Sequence, residues 1–253
     1  MTPLANGYTE YAPPPSLREY VECFWTRGAE SPNAAAEHII PDGCIDLVLG
    51  YGSGSAAPSA TLAVGTMTRP LVIRGASRLS YVGVRFWPGR ALPFLGVPAA
   101  ALTDLRVDIA DLWTDRGMSL EGLHGHEPGA VRGAFEQLLH RRLERARPID
   151  RTVDAAVRAI LRAGGNLSIA SLAPALGATR QHLARSFALH VGVAPKMFAR
   201  VARVRHALAK ARVAATVDWA ALALDAGFYD QAHLSGEVRE LTGRTPSEWL
   251  ASA

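Results

Sequence analysis

Two stretches decide the reading of this chain: Leu172-Ala173-Pro174-Ala175-Leu176-Gly177-Ala178-Thr179-Arg180-Gln181-His182-Leu183-Ala184-Arg185-Ser186-Phe187, and Leu222-Ala223-Leu224-Asp225-Ala226-Gly227-Phe228-Tyr229-Asp230-Gln231-Ala232-His233-Leu234-Ser235-Gly236-Glu237-Val238. Leu172, Ala173, Gly177, Thr179, Leu183, Phe187, Gly192 and Pro195 recur as Leu222, Ala223, Gly227, Asp230, Leu234, Val238, Gly243 and Pro246. An internal repeat of this kind is read first because it constrains the whole fold. Each copy opens with a short helix whose apolar residues fall three and four apart, Ile169, Leu172 and Leu176 or Trp219, Leu222 and Ala226. A glycine suited to positive φ then ends it, and Thr179 or Asp230 caps a second helix. That second helix buries a pair four apart, Leu183 with Phe187 and Leu234 with Val238. This is the pattern of a helix-turn-helix, whose second helix enters the DNA major groove. Duplicated helix pairs also occur in helical repeat proteins that bind other proteins.

Between the copies, Pro195 suits the first position of a helix, and Met197, Val201, Val204, Leu208 and Ala211 follow at helical spacing. A rigid connecting helix is expected, holding two readers at a spacing that suits successive major-groove faces of double-stranded DNA. Charge supports DNA over a protein partner. The chain has 253 residues, 27 Lys plus Arg against 23 Asp plus Glu, and a net charge of +4, too small a surplus to name a partner. Thr179 to Arg212, however, holds eight basic residues and no acidic one, while Val213 to Ala253 holds two basic residues against six acidic ones. A one-signed stretch placed on helices favours a polyanion.

The first half differs in texture. Residues 8 to 90 are rich in Pro, Gly and short apolar runs, Cys44 to Leu49, Ala60 to Val64, Leu71 to Ile73 and Tyr81 to Phe86, which predict a mostly antiparallel β unit. Gly50 to Thr61 is expected to be a loop between strands. Helices are expected from Leu105 onward. Gly129 to Arg145 places Val131, Phe135, Leu138, Leu139 and Leu143 on one helical face, which serves either as a dimer interface or as the cover of its own β unit. Arg147-Pro148 then breaks the pattern, and the domain boundary is placed there, giving 1–147 and 148–253.

Residues 150 to 250 resemble the DNA-binding domain of the AraC/XylS family of bacterial transcription regulators. The likeness runs through Leu222-Ala223, Ala226-Gly227-Phe228, Asp230-Gln231-Ala232-His233-Leu234 and Thr242-Gly243-Arg244-Thr245-Pro246. The first half resembles an uncharacterised sensor-like domain often fused to it, through Tyr20-Val21-Glu22-Cys23-Phe24-Trp25, Pro41-Asp42-Gly43-Cys44-Ile45-Asp46-Leu47-Val48 and Val84-Arg85-Phe86-Trp87-Pro88-Gly89. The fold class expected is therefore α+β: a β-rich, cupin-like domain with flanking helices, then an all-α domain of two helix-turn-helix motifs joined by a connecting helix. The resemblance implies a transcription regulator controlled by a small-molecule effector, acting on double-stranded DNA, with RNA polymerase a further candidate partner and a homodimer or monomer as the state.

On the first recognition helix, Leu183 and Phe187 mark the buried side, so Arg180, Gln181, Ala184 and Arg185 point outward. Arg pairs bidentately with guanine and Gln with adenine. The family's base contacts fall on Gln181, Ala184 and Arg185; Arg180, Arg200, Arg203 and Arg205 are expected on phosphates. The second helix departs from the family pattern: Leu234, Ser235, Gly236, Glu237 and Val238 stand where Phe, Ser, Arg, any residue and Phe are usual. The usual arginine is missing and Glu237 is expected to repel phosphate, so the first motif should carry most specificity, with Gln231 and His233 contributing less. His233 is alternatively structural, beside the helix cap.

For the sensing half, Trp25, Asp46, Tyr81, Arg85 and Trp87 are the effector-pocket candidates, an apolar lining with polar anchors; aromatics with a buried Asp-Arg pair also make an ordinary core. Two cysteines, Cys23 and Cys44, argue against a disulfide framework and fit a reducing cytoplasm, although a thiol-based sensor or an enzyme-like domain is an alternative design, as is effector-independent dimerisation. Cys23, Cys44 and His38 lack metal-ligand spacing, and His124-Gly125-His126-Glu127 is read as a loop. No nucleophile elbow, phosphate loop or dinucleotide fingerprint occurs, so no catalytic residue, cofactor or metal is expected. No apolar run is long enough to span a membrane and no secretory signal is visible, so a cytoplasmic protein is expected.

Overall fold

The computed structural model describes residues 7–28, 37–52, 61–73, 79–113, 128–144 and 149–252. The first half is built on a six-stranded antiparallel sheet, in the order β1 (Tyr8–Tyr11), β2 (Val21–Arg27), β7 (Leu79–Phe86), β4 (Ile45–Gly52), β5 (Thr61–Val64) and β8 (Arg106–Asp108). A second ribbon pairs β3 (Glu37–Ile39) with β6 (Leu71–Ile73). Side chains alternate between faces along a strand. Leu47, Leu49, Val82, Val84 and Phe86 therefore share one face and are buried together with Phe24 and Ile45. Helices α1 (Leu92–Leu95) and α3 (Pro128–Leu143) cover that face, and Phe94 stacks on Phe86 at 5.0 Å between ring centres. The short helix α2 (Ile109–Leu112) adds Ile109 to the same core.

One detail chooses between the two alternatives left open for the amphipathic helix, and two others differ from the expectation. Val131, Phe135, Leu138 and Leu139 are buried in the sheet's own core, so α3 covers its own β unit with that face. The expected loop at Gly50 to Thr61 is shorter, since β4 runs to Gly52 and β5 starts at Thr61; residues 53–60 lie outside the described ones. Leu105 does not open an all-helical region, because β8 follows it as the sheet's edge and a 3-10 turn, Ala99–Leu102, precedes it. These short polar segments lack enough alternation to announce a strand. The boundary residues Arg147 and Pro148 and the segment His124 to Glu127 lie outside the described residues.

The second half is helical: α4 (Arg151–Arg162), α5 (Ile169–Ala175), α6 (Arg180–His190), α7 (Pro195–Val213), α8 (Trp219–Asp225), α9 (Gln231–Thr242) and α10 (Pro246–Ala251). It packs around two cores. Val153, Val157, Ile160, Leu172, Leu183 and Phe187 form the first with Phe198, Ala199 and Ala202 of α7. Leu234, Val238, Leu241 and Phe228 form the second with Val201, Val204 and Leu208 of the same helix. One helix thus supplies a wall to both motifs, and a 19-residue helix bonded along its length gives the connection its stiffness. The fold is α+β, a β-rich domain followed by an all-α one, as the sequence led us to expect.

Candidate nucleic-acid interface and sensor face

Each motif ends its first helix at a left-handed glycine, Gly177 at φ 67° and Gly227 at φ 79°. The second helix then starts on a side-chain cap, Thr179 Oγ1 accepting from the His182 amide at 3.1 Å and Asp230 Oδ1 from the His233 amide at 2.7 Å. Burying Leu183 and Phe187 turns the other side of α6 outward. Arg180, Gln181, Ala184 and Arg185 are all exposed there, and neither arginine forms an ion pair among the described residues. Such a face presents two guanidinium forks and an amide to an approaching duplex, the groups that recognise base edges and phosphate oxygens.

The equivalent face of α9 is poorer. Gln231, Ala232 and Gly236 are exposed and Ser235 is half-buried. His233 is exposed as well, but its Nδ1 accepts from the Tyr229 amide at 3.3 Å and its ring meets Phe228 edge-on at 5.4 Å. The structure therefore gives His233 a capping task at the helix entrance. Glu237 does not face outward as expected: it is half-buried and ion-paired to Arg200, which also binds Glu240, with Arg200 Nη1 2.8 Å from Glu240 Oε1. The Glu240 hydrogen bonds come first among the causes that hold the Arg200 guanidinium charged, and they hold the Glu240 carboxyl below its usual range.

That network changes the phosphate set. Arg200, on the connector, is committed to α9. Arg203 lies over the Phe228 ring at 5.3 Å and donates to the Gly227 carbonyl at 3.2 Å, while its Nε is buried without a hydrogen-bond partner. Of the connector arginines named from sequence, the structure leaves Arg205 exposed. Sequence reasoning missed Tyr229, 86% exposed beside the second helix entrance, and Arg239 on the exposed side of α9; neither carries a periodic signal that would single it out.

The sheet face away from the core carries the sensor candidates. Asp46 and Arg85 stand opposite each other on β4 and β7, with Arg85 Nε 3.2 Å from Asp46 Oδ1 and 3.7 Å from Asp42 Oδ2. Trp25 Nε1 donates to Asp46 Oδ1 at 3.0 Å, and Tyr8 stacks on the Trp25 ring at 5.8 Å. The Trp25 ring lies over Gly83, where a side chain would overlap it. Tyr81 shares this face by alternation and is half-buried. Trp87 does not: it follows the end of β7, is 40% exposed, and donates to the Arg18 carbonyl at 3.3 Å. In its place the structure supplies Tyr8, Asp42 and Glu22. Burial raises the Asp46 carboxyl to about 6 against the pull of Arg85. Burial likewise raises Glu22. For Arg85, burial opposes the charge, and Asp46 and Asp42 outweigh it. The result is a polar, aromatic-lined face on which Arg85 stands among several carboxylates.

Residues 172–252 match the family model of a helix-turn-helix domain. That model is of the AraC type, and its match is confined to the carboxy-terminal region. Residues 9–108, ahead of the AraC-type domain, match a domain of unknown function. No curated protein matches the chain. Solved structures similar to it include ToxT from Vibrio cholerae, at 12% identity and a TM-score of 0.45, over 90% of this chain and 98% of that one. ToxT from the same organism with an unsaturated fatty acid bound follows at 14% identity and a TM-score of 0.39, over 87% of this chain and 97% of that one. The xylose-binding transcription activator XylR aligns at 16% identity and a TM-score of 0.37, over 55% of this chain and 44% of that one.

Cys23 lies on β2 and Cys44 immediately precedes β4. Cys23 and Cys44 are free and buried. Burial pushes the Cys23 thiol up to about 12 and the Cys44 thiol well above its usual range, and neighbouring carboxylates add to both shifts. The thiolate is the reactive form, so both should resist a polar thiol reagent at neutral pH in the native chain and react once it is unfolded. Rapid native modification accompanied by altered DNA binding would restore the thiol-sensor reading. Among the described residues no three His, Cys, Asp or Glu side chains are grouped to hold a metal ion. No helix among them is long and apolar enough to cross a membrane.

Proposed function

We propose that this chain is a sequence-specific transcription regulator: residues 148–253 bind double-stranded DNA, and residues 1–147 bind a small-molecule effector on the sheet face that carries Trp25, Asp46, Tyr81 and Arg85. The observation that carries the reading is the doubled helix-turn-helix with Arg180, Gln181 and Arg185 outward on α6, within the region matched to the helix-turn-helix family. Effector control acts by favouring one arrangement of the two domains over another, which requires different affinity for the two. RNA polymerase is the partner such a regulator would address once on DNA.

Selection of duplexes from a random pool by the full chain, with and without small cationic, anionic and neutral metabolite-like compounds, tests the reading. An enriched sequence with two elements about one helical turn apart is expected, with affinity falling steeply as salt rises because phosphate contacts release counterions. A pool without enrichment, or binding indifferent to salt, would overturn it.

A further inference from the structure

The repeat ends each recognition helix at a left-handed glycine, Gly192 after Val191 at the close of α6 and Gly243 after Thr242, the last residue of α9, and the amino-terminal half reaches both. The last carbonyls of a helix have no partner within it. At α6, the Val191 carbonyl accepts from Thr66 Oγ1 at 2.5 Å and the Gly192 carbonyl from Thr103 Oγ1 at 2.6 Å. At α9, the Thr242 carbonyl accepts from His38 Nδ1 at 3.0 Å, which requires the ring proton on that nitrogen. Both glycines are left-handed, at φ 95° and 72°. A Cβ at Gly192 would lie 3.1 Å from Thr66 Oγ1, and one at Gly243 would lie 3.3 Å from His38 Nδ1 and 3.5 Å from Pro70 Cγ. The same bare backbone that ends each helix also admits the neighbouring domain.

One pinned piece of chain touches both helix ends. Residues 65–70 lead from β5 toward β6, with Thr66 against the first motif and Pro70 against the second. Asp104 holds them, its carboxylate accepting from the Thr68 amide at 2.7 Å and the Thr68 hydroxyl at 2.5 Å while its own amide donates to the Thr66 carbonyl at 3.0 Å. It does so at φ 57°, a conformation uncommon outside glycine. Ile40 packs on the second motif's core, and Gly43 comes against the Phe198 ring of α7. On the other side, Arg90 pairs with Asp154 of α4. The sensor face is two residues from the first grip, since Val64 stands opposite Asp46 and Thr66 follows it. None of these contacts covers Arg180, Gln181, Arg185 or Gln231, all exposed.

We propose that Thr66, Thr103 and His38 are positioning residues for DNA reading: the amino-terminal domain holds the two recognition helices at a fixed mutual placement by gripping the equivalent end of each. Helix α7 and the close approach of Asn166 to Gly227 link the motifs directly; the grip adds a further link from outside, which restricts their relative rotation more than those contacts alone. The proposal rests on the DNA-binding reading above.

Its test uses the full chain and duplexes carrying the selected sequence with both elements, with the first element alone, and with one base pair added or removed between elements. The Thr66→Val, Thr103→Val double variant should bind the two-element duplex about tenfold more weakly, bind the single-element duplex as the parent does, and lose the preference for parental spacing. His38→Ala should lose the spacing preference in the same way, and Thr66→Ser, which keeps the hydroxyl, should retain it. If the valine variant is unfolded by circular dichroism, His38→Ala, on the half-buried strand β3, decides alone. Parental spacing preference in the folded variants, or equal losses on both duplexes, would overturn the positioning role. A parent that selects no DNA would instead overturn the DNA-binding reading, and this role with it.

Discussion

Replacing Arg85 by methionine is expected to destabilise the chain by about 3 kcal/mol near pH 8, and by much less near pH 5. Arg85 is the cation that faces Asp46 at 3.2 Å and Asp42 at 3.7 Å. Side-chain exposures of 24% for Arg85 and 16% for Asp46 mean that little water is available to replace it. Methionine fills similar space, so the loss is one of charge rather than packing. In the parent, burial already holds the folded Asp46 carboxyl at about 6, above the roughly 3.9 of an unfolded aspartate. The folded state therefore binds more protons between those values, and this group's contribution is complete below about pH 4 and lost as pH rises through about 6. Without Arg85 the folded value climbs further, so the penalty is felt mostly above pH 6. Thermal unfolding across pH measures it, and Asp46→Asn in the Arg85→Met background should restore most of the stability near pH 8. A loss of equal size at both pH values, or no recovery from Asp46→Asn, would show that the Asp46 charge is not the cause.

The Asp46 and Arg85 pairing also marks what the sequence could and could not convey. Both residues were recognisable as polar groups on apolar strands, and their facing each other needed only the antiparallel pairing of two strongly patterned segments. Trp87 was misplaced because aromatic type says nothing of where a strand stops: β7 ends at Phe86, and one residue later the alternation no longer assigns a face. The helix-turn-helix repeat was legible because its signals are local, a glycine, a cap and a pair four apart, twice over. Glu237 was read outward because nothing local reveals a partner 37 residues earlier; Arg200 reaches it only once α7 and α9 pack. Thr66, Thr103 and His38 carry no local signal of this role for the same reason, since it arises only from the helix ends set against them.

The Arg200 network bears on the unequal readers: it removes phosphate repulsion by Glu237 from the case for them and leaves the difference in cations. Residue for residue across the repeat, Arg180, Gln181, Ala184 and Arg185 of α6 correspond to Gln231, Ala232, Ser235 and Gly236 of α9. The first face has two cations and a bidentate amide; the second has one amide and no cation at these positions. Glu237 no longer counts as a repelling charge, because Arg200 neutralises it. What remains is the absence of a guanidinium at Gly236, where Arg185 has one. Arg185→Ala should weaken binding to the selected sequence by about 5- to 150-fold, the equivalent of about 1 to 3 kcal/mol, and relax preference at one base pair. Arg185→Lys should restore affinity for phosphate but not that preference, since an ammonium cannot form the two parallel bonds. Gln231→Ala should cost less than about 5-fold, because its partner helix contributes no charge to be lost. Anisotropy titrations of the three variants at fixed salt, on the selected duplex and on single-base changes of it, decide the matter. Equal losses for Arg185→Ala and Gln231→Ala would mean that the two motifs read DNA alike and that the bare face of α9 is compensated by Tyr229 or Arg239, both exposed beside it.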